Sequence, residues 1–356
     1  MSYRWFDDIL RQQSSRWLVT GAAGFIGSHL VESLLAAGQE VVGLDNFASG
    51  KKENLLAVEQ KLGPQVWQRF QLIEGDVRSQ ACCVMAAEGC QFILHQAALA
   101  SVPLSLAQPD LTHDVNVKGF LNVLDAAVRH AIRRVVYASS CSVYGDQQGT
   151  PLSEACRLKP LSPYAASKAC DEQYARAFFE SYGLSAIGLR YFNVYGERQD
   201  PQGAYAAVIP RWVEQLRGGE ALRVYGDGEN TRDFVHISTV VAANISAALL
   251  GDVEECGVFN VASGRSYSLN QVLQLLDHLL GPQPIRSLQI QYEAPRKGDI
   301  RYSVADTASF DRVFRLAKCS LPDGLLQLWQ SFHTGSEGSP KGDDLSRPNA
   351  AVHRTV

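Results

Sequence analysis

The chain has 356 residues, of which 46% are hydrophobic and 20% charged. That is room for about two domains and a core needing no disulfide or metal staple, and it is too apolar for a disordered chain. Lys plus Arg (33) against Asp plus Glu (37) leaves a net charge of −4, which argues against nucleic-acid binding driven by bulk positive charge.

In chain order, residues 17–20 form a short apolar run that ends in Gly21. Residues 27–37 follow with a helical stripe (Ile26, Leu30, Leu34, Leu35) stopped by Gly38, and residues 41–44 read as a second buried strand. Two buried strands joined by a helix make a parallel βαβ unit. The alternation continues: strand 70–73, helix 80–88, strand 92–94, a long helix 115–129, strand 135–137, a helix opened by Ser162-Pro163, and strand 186–190. This pattern predicts an α/β fold with a doubly wound (Rossmann) parallel sheet, covered by helices on both faces.

Beyond Tyr191 the rhythm weakens, and a helix at 208–216 stands between loops. The expected organisation is an N-terminal extension (1–16), a dinucleotide-binding domain (17–190, with a returning segment near 235–261), a smaller α/β substrate domain (mainly 191–334), and a polar, poorly ordered tail (335–356).

Gly21, Gly24 and Gly27 lie between the first strand and the first helix, with Phe25 and Ile26 opening that helix. Gly21 permits a tight turn, Gly24 lets backbone approach a pyrophosphate, and Gly27 allows helix and strand to pack closely. The helix N-terminus supplies unpaired N–H groups. Asp45 ends the second strand 18 residues after Gly27, where a carboxylate accepts hydrogen bonds from a ribose 2′-OH and repels a 2′-phosphate. The cofactor expected is therefore NAD rather than NADP.

Tyr164 and Lys168 stand at i and i+4 on one helical face, and Ser140 follows the strand 135–137. A tyrosine titrating near pH 10 is a poor base at neutral pH, but a neighbouring ammonium favours its phenolate. A serine hydroxyl can then hold a substrate hydroxyl against it.

In this order the glycine turn, Ser140 and the Tyr164–Lys168 pair resemble the extended short-chain dehydrogenase/reductase family. Residues 94–98 (LHQAA), 142–145 (SVYG), 190–196 (RYFNVYG) and 232–234 (RDF) are similar to nucleotide-sugar epimerases of the UDP-galactose 4-epimerase type. Residues 199–210 (QDPQGAYAAVIP) resemble the UDP-N-acetylglucosamine 4-epimerases of bacterial O-antigen pathways.

The resemblance implies a tightly bound NAD regenerated at each turnover, and a 4-keto sugar that turns over between hydride removal and return. Tyr164 is then the proton carrier, Lys168 its activator, and Ser140, with Ser142, the holder of the sugar 4-oxygen. Cofactor contacts implied beyond the glycine turn and Asp45 are Asn46, Asp76, Val77, Gln96, Ala97, Ala98, Asn116, Tyr191, Tyr164 and Lys168. Substrate contacts implied are Ser101, Asn193, Ala207, Val208, Tyr225, Arg232, Arg296, Asp299 and Ser303.

Dehydratases of the family carry Asp-Glu, and decarboxylases a Glu, where this chain has Cys141-Ser142, so simple epimerisation is the reaction implied. Ser303 stands at the position gating the sugar pocket, and its small side chain implies room for a 2-N-acetyl group. Ala100 stands where relatives often have Gly, and Cys141 where they often have Ser. A UDP-hexuronic acid 4-epimerase and a non-catalytic NAD(H)-binding scaffold are the competing readings. The family also implies a homodimer, built on 115–129 and the helix after Tyr164.

No run reaches the roughly 18 apolar residues of a membrane span, and residues 1–16 lack a signal-peptide core. The expectation is a cytosolic protein with no membrane or nucleic-acid partner. The eight cysteines form no CxxC pair or Cys/His ladder, so free thiols and no metal site are expected. His95 and His236 read as packed or hydrogen-bonded structural histidines.

Overall fold

The structure is a computed structural model and describes residues 10, 14–147, 151–202, 207–249, 251, 256–280, 290–295 and 301–334. Seven parallel strands form the main sheet: β1 (Arg16–Thr20), β2 (Glu40–Asp45), β3 (Phe70–Glu74), β4 (Phe92–His95), β5 (Arg134–Ser140), β6 (Ala186–Tyr191) and, skipping the strands between, β10 (Cys256–Val261). Their order is β10-β6-β5-β4-β1-β2-β3, the doubly wound arrangement with its switch point between β1 and β4.

Pleating decides which side chains go where. Trp17 and Val19 of β1 enter one core, and Leu18 enters the other; Phe92 and Leu94 of β4 join the first, and Ile93 the second. The first face is covered by α1 (Phe25–Ala36), through Leu30, Val31, Leu34 and Leu35, and by the helix Ile237–Leu249. The second face is covered by the helices Gln80–Ala87 and Gly119–Arg129, through Cys83, Ala86, Phe120, Val123 and Leu124. Both faces are buried, which is why the strands read as continuous apolar runs.

Within the first 190 residues, four helices lie where the sequence suggested none: Lys52–Leu62, Pro64–Trp67, Val102–Ala107 and Pro109–His113. The first is half exposed with only Leu55 and Val58 buried, so it carries little apolar stripe to read. The helix expected over 115–129 starts with a π-helical turn, Asp114–Lys118, before the α-helix Gly119–Arg129. The wide turn buries Asn116, and such bulges are frequent at functional sites.

The second region holds β7 (Asn193–Tyr195), β8 (Leu222–Tyr225), β9 (Thr231–His236), β11 (Ser266–Ser268) and β12 (Ile290–Glu293). They pair as β11-β9-β7 and β12-β8. A third core, around Trp212, Leu222, Val224, Phe234, Val272 and Leu325, packs them under the helices Val208–Gly218, Leu269–Leu280 and Leu321–Thr334.

The 196–202 segment reaches back to the main body. Arg198, at φ +64°, pairs with Glu32 of α1 at 2.7 Å, and Asp200 pairs with Lys51 at 3.1 Å. All eight cysteines are free. No helix among the described residues is long and apolar enough to cross a membrane, and no cluster of metal-ligating side chains occurs among them.

Candidate active site

At the switch point, β1 ends in the glycine turn. Gly21 has φ +67°, and a Cβ there would lie 2.8 Å from the Ala97 nitrogen. A Cβ on Gly27 would lie 2.0 Å from the Gly21 carbonyl oxygen, so only glycine closes this turn against the helix. At Gly24 the nearest atom would be 3.1 Å away, which leaves the backbone accessible at the N-cap of α1.

A cleft opens there, lined by Gly21, Gly24, Asp45, Asn46, Asp76, Val77, Gln96, Ala97 and Ala98 together with the 48–50 loop, Leu99 and Val115. Nine residues expected to hold the cofactor thus converge from four separate stretches of chain. The Asp45 carboxylate also accepts the Ala23 N–H at 2.9 Å and the Phe47 N–H at 2.8 Å, locking the turn to the end of β2 and holding Phe47 at φ +57°. Asn46 donates to Asp76 at 2.8 Å, and the Arg78 guanidinium holds the Asp76 carboxyl down to about 2.

Other expected cofactor residues act from behind this lining. Phe25 and Ile26 pack against the first core. Asn116 uses its side chain on the Leu99 N–H (2.8 Å) and Ser167 (2.9 Å), joining the cleft wall to the helix α8 (Pro163–Tyr182), an arrangement the sequence reading did not foresee. Tyr191 donates to Gln96 at 3.1 Å and accepts from Asn244 at 2.8 Å.

Ser162 caps α8 through the Ala165 N–H, with Pro163 in the first turn. This sets Tyr164 and Lys168 on the inner face, below the end of β5. Ser140 lies close enough to the Tyr164 hydroxyl to favour its ionised form. Ser142 donates to the Ser140 oxygen at 2.9 Å. Burial pushes the Tyr164 hydroxyl above its ordinary value, while the Lys168 charge and the Ser140 hydroxyl pull it down. The lysine therefore acts in the expected sense but does not by itself outweigh burial.

Lys168 is buried and paired with Asp171 at 3.0 Å. Beneath it, Glu172 takes a bidentate grip from Arg190 (2.8 and 2.7 Å) and a hydrogen bond from Ser139 at 2.6 Å. Arg190 also donates to Tyr144, which donates to Asn260. Sequence reasoning missed Asp171, Glu172, Tyr144 and Asn260. The usable signal was two adjacent acids, three and four residues after Lys168, on a helix that must face a core.

A second cavity, of about 380 Å³, is lined by Asn193, Ala207, Val208, Tyr225 and Arg232, as expected, and also by Arg211, Trp212, Arg223, Phe234 and Leu269. The Arg232 charge is felt at Cys141, beside Ser140. Burial raises the Cys141 thiol to about 12, which keeps it neutral. Buried Asp233 accepts the N–H groups of Ser263 (2.8 Å), Gly264 (3.0 Å) and Ala305 (3.2 Å), fixing β9 behind the cavity.

Ser101 caps the helix Val102–Ala107 through the Leu104 N–H at 3.2 Å. Ser303 is buried, and its carbonyl accepts from Ser266 at 3.2 Å. Neither is among the residues lining the two cavities. Arg296 and Asp299 lie outside the described residues, as does 203–206. His95 bonds Thr20 at 2.8 Å and His236 bonds Ser238 at 2.8 Å. Burial lowers them to about 3 and about 4, the behaviour of neutral structural histidines.

Residues 17–262 match the profile of the NAD dependent epimerase/dehydratase family. The chain is 35% identical over 325 residues to a UDP-glucose 4-epimerase of Mycolicibacterium smegmatis, covering 90% of this chain and all of that one. Among solved structures it resembles a UDP-N-acetylglucosamine 4-epimerase from Methanobrevibacter ruminantium M1 in complex with UDP-N-acetylmuramic acid (TM-score 0.83, 35% identity, 91% and 99% of the two chains). It also resembles MoeE5 in complex with UDP-glucuronic acid and NAD (TM-score 0.77, 34% identity, 90% and 99%). The chain belongs to the NAD dependent epimerase/dehydratase family. Its cofactor is NAD, and its chemistry is of the UDP-sugar 4-epimerase kind.

Proposed function

We propose that this enzyme interconverts UDP-N-acetylglucosamine and UDP-N-acetylgalactosamine by inverting sugar C4. The observation that carries the reaction type is the grouping of Ser140 and Lys168 around the buried Tyr164 hydroxyl, with Cys141 and Ser142 beside it rather than carboxylates. Loss of water or of carboxylate would need such acids; inversion needs one proton carrier at one oxygen.

NAD, when bound, takes hydride from the sugar carbon and gives it back. Gly21, Gly24 and the start of α1 receive its pyrophosphate, and Asp45 its ribose. Tyr164, ionised, accepts the proton of the 4-hydroxyl and later returns it. Ser140, supported by Ser142, holds that oxygen. Asn193 and Arg232 grip the diphosphate, Ala207, Val208 and Tyr225 surround the uracil, and Arg296 and Asp299 complete the anchor on phosphate and uridine ribose. With the nucleotide fixed, the sugar is free to present either face.

The likeness to the Methanobrevibacter enzyme supports an N-acetylhexosamine. A UDP-hexuronic acid substrate is the second reading, favoured by the likeness to MoeE5. The test is a panel of UDP-sugars, with no NAD added, followed by NMR. UDP-N-acetylgalactosamine should form from UDP-N-acetylglucosamine; turnover of the uronic acids alone would transfer the assignment to them. To this reading belong the division into a cofactor body (17–190 with 235–261) and a substrate body (mainly 191–334), a cytosolic setting, and a homodimer formed through the helices Gly119–Arg129 and Pro163–Tyr182. Val128, Tyr174 and Tyr182 on those helices are exposed, and sedimentation equilibrium tests the pairing.

A further inference from the structure

We propose that Asp171 is a positioning residue of the catalytic helix, holding the Lys168 ammonium in place and offsetting part of the positive charge that Lys168 presents to Tyr164. Tyr164, Lys168 and Asp171 follow at i, i+4 and i+7, along one face of α8. The ion pair is 3.0 Å long, and its two side chains are 2% and 1% exposed. Only one carboxylate oxygen is used. Oδ1 is buried with no hydrogen-bond partner, an unfavourable arrangement that simple packing does not call for. A buried charge pair is a poor source of stability and is better explained by what it sets. Burial raises the Asp171 carboxyl to about 6 although Lys168 pulls it down, and Asp171 in turn pushes Tyr164 up.

Apart from Glu172, whose charge also raises Asp171, the groups around this pair are neutral, paired elsewhere or exposed. On the same helix, Glu172 is neutralised by Arg190 of β6, and Cys170 is a thiol raised by burial. Tyr137 of β5 and Cys141 are held neutral by burial, and His95 of β4, which faces Lys168, is neutral. On the segments packed against α8, Asp110, His113, Asp114 and Lys118 are exposed, and Asp125 is paired with Arg129.

The test removes the charge and keeps the shape. Asp171→Asn retains an oxygen for the ammonium. Charges about 10 Å apart along a helix, at an effective dielectric of about 20, interact by about one pH unit. Tyr164 in the variant holoenzyme should therefore ionise about one unit lower, with about tenfold more tyrosinate at a given pH below the transition. An ultraviolet difference titration reads this, with the Tyr164→Phe protein subtracted, and the acid limb of kcat should move with it. Asp171→Glu keeps the charge and should leave the limb in place. Asp171→Thr is the second uncharged variant should the Asn protein not fold, and the same downward shift is required of it. An unmoved or raised titration overturns the proposal. The role in kcat rests on the epimerase reading, whereas the tyrosinate titration needs no sugar, so the two can fail separately.

Discussion

Tyr164 sits under opposed influences: burial keeps its proton on, and Lys168 with Ser140 draws it off. A residue in that balance is a proton carrier whose readiness depends on its neighbours. Replacing it tests the role directly. Tyr164→Phe should lower kcat by about 10²- to 10⁴-fold, the usual worth of a positioned general base, and leave the NAD content of the purified protein as it was. An unchanged rate would mean that the hydroxyl carries no proton and that Tyr164 is not a catalytic residue. Ser140 favours the ionised form of the same hydroxyl, and Ser142 donates to Ser140, so the two serines support one proton carrier.

At the level of elements, the glycine turn separates two roles that look alike in sequence. A Cβ on Gly27 would overlap the Gly21 carbonyl at 2.0 Å, whereas at Gly24 the closest atom is 3.1 Å away. Gly27→Ala should therefore push α1 off β1 and destabilise the fold, by about 1–3 kcal/mol on the scale of overpacked sites. Gly24→Ala should destabilise the cofactor-free protein less than Gly27→Ala, its Cβ lying 3.1 Å rather than 2.0 Å from the Gly21 carbonyl oxygen, and should lose affinity for NAD, whose pyrophosphate needs close approach to this backbone. Chemical denaturation and cofactor titration of the two variants check this. Equal effects on both would contradict the division of labour. Helix α8 shows a similar separation, its inner face carrying Tyr164 and Lys168 for chemistry and Glu172 for the buried grip on Arg190.

For the whole molecule, buried titrating groups fix how stability follows pH. Burial lowers His29 and His95 to about 3 and His236 to about 4. Each is depressed in the folded state, so its contribution is complete above about pH 6.5 and is lost as pH falls toward 4. Asp171, raised to about 6, works in the opposite sense, since its penalty is relieved on acidification between about 6 and 4. Three histidines against this carboxyl leave a net uptake of roughly two protons on unfolding near pH 5. Stability should then fall on the order of 2–3 kcal/mol per pH unit there. Urea unfolding at pH 7, 6 and 5 measures it; a midpoint that rises on acidification would show these histidines to be charged in the fold.

What residues 17–190 determined by themselves was local and periodic. Apolar runs bounded by glycine defined strands, 3.6-residue stripes defined helices, and the glycine turn and the Tyr164–Lys168 spacing each lie within one turn of chain. Gly21 and Asp45 could be assigned to one cleft because a doubly wound sheet brings the ends of neighbouring strands together, whereas Asp76 and Gln96 came from the family resemblance. The tertiary structure alone decided the rest. The Asp45 carboxylate locking the turn, Asn116 bridging Leu99 to Ser167, Asp233 gathering three N–H groups, and Arg211 and Arg223 entering the anchor cavity all join residues far apart in sequence. Hydrogen bonding and desolvation depend on distance and burial in space, and for such partners neither quantity is written along the chain.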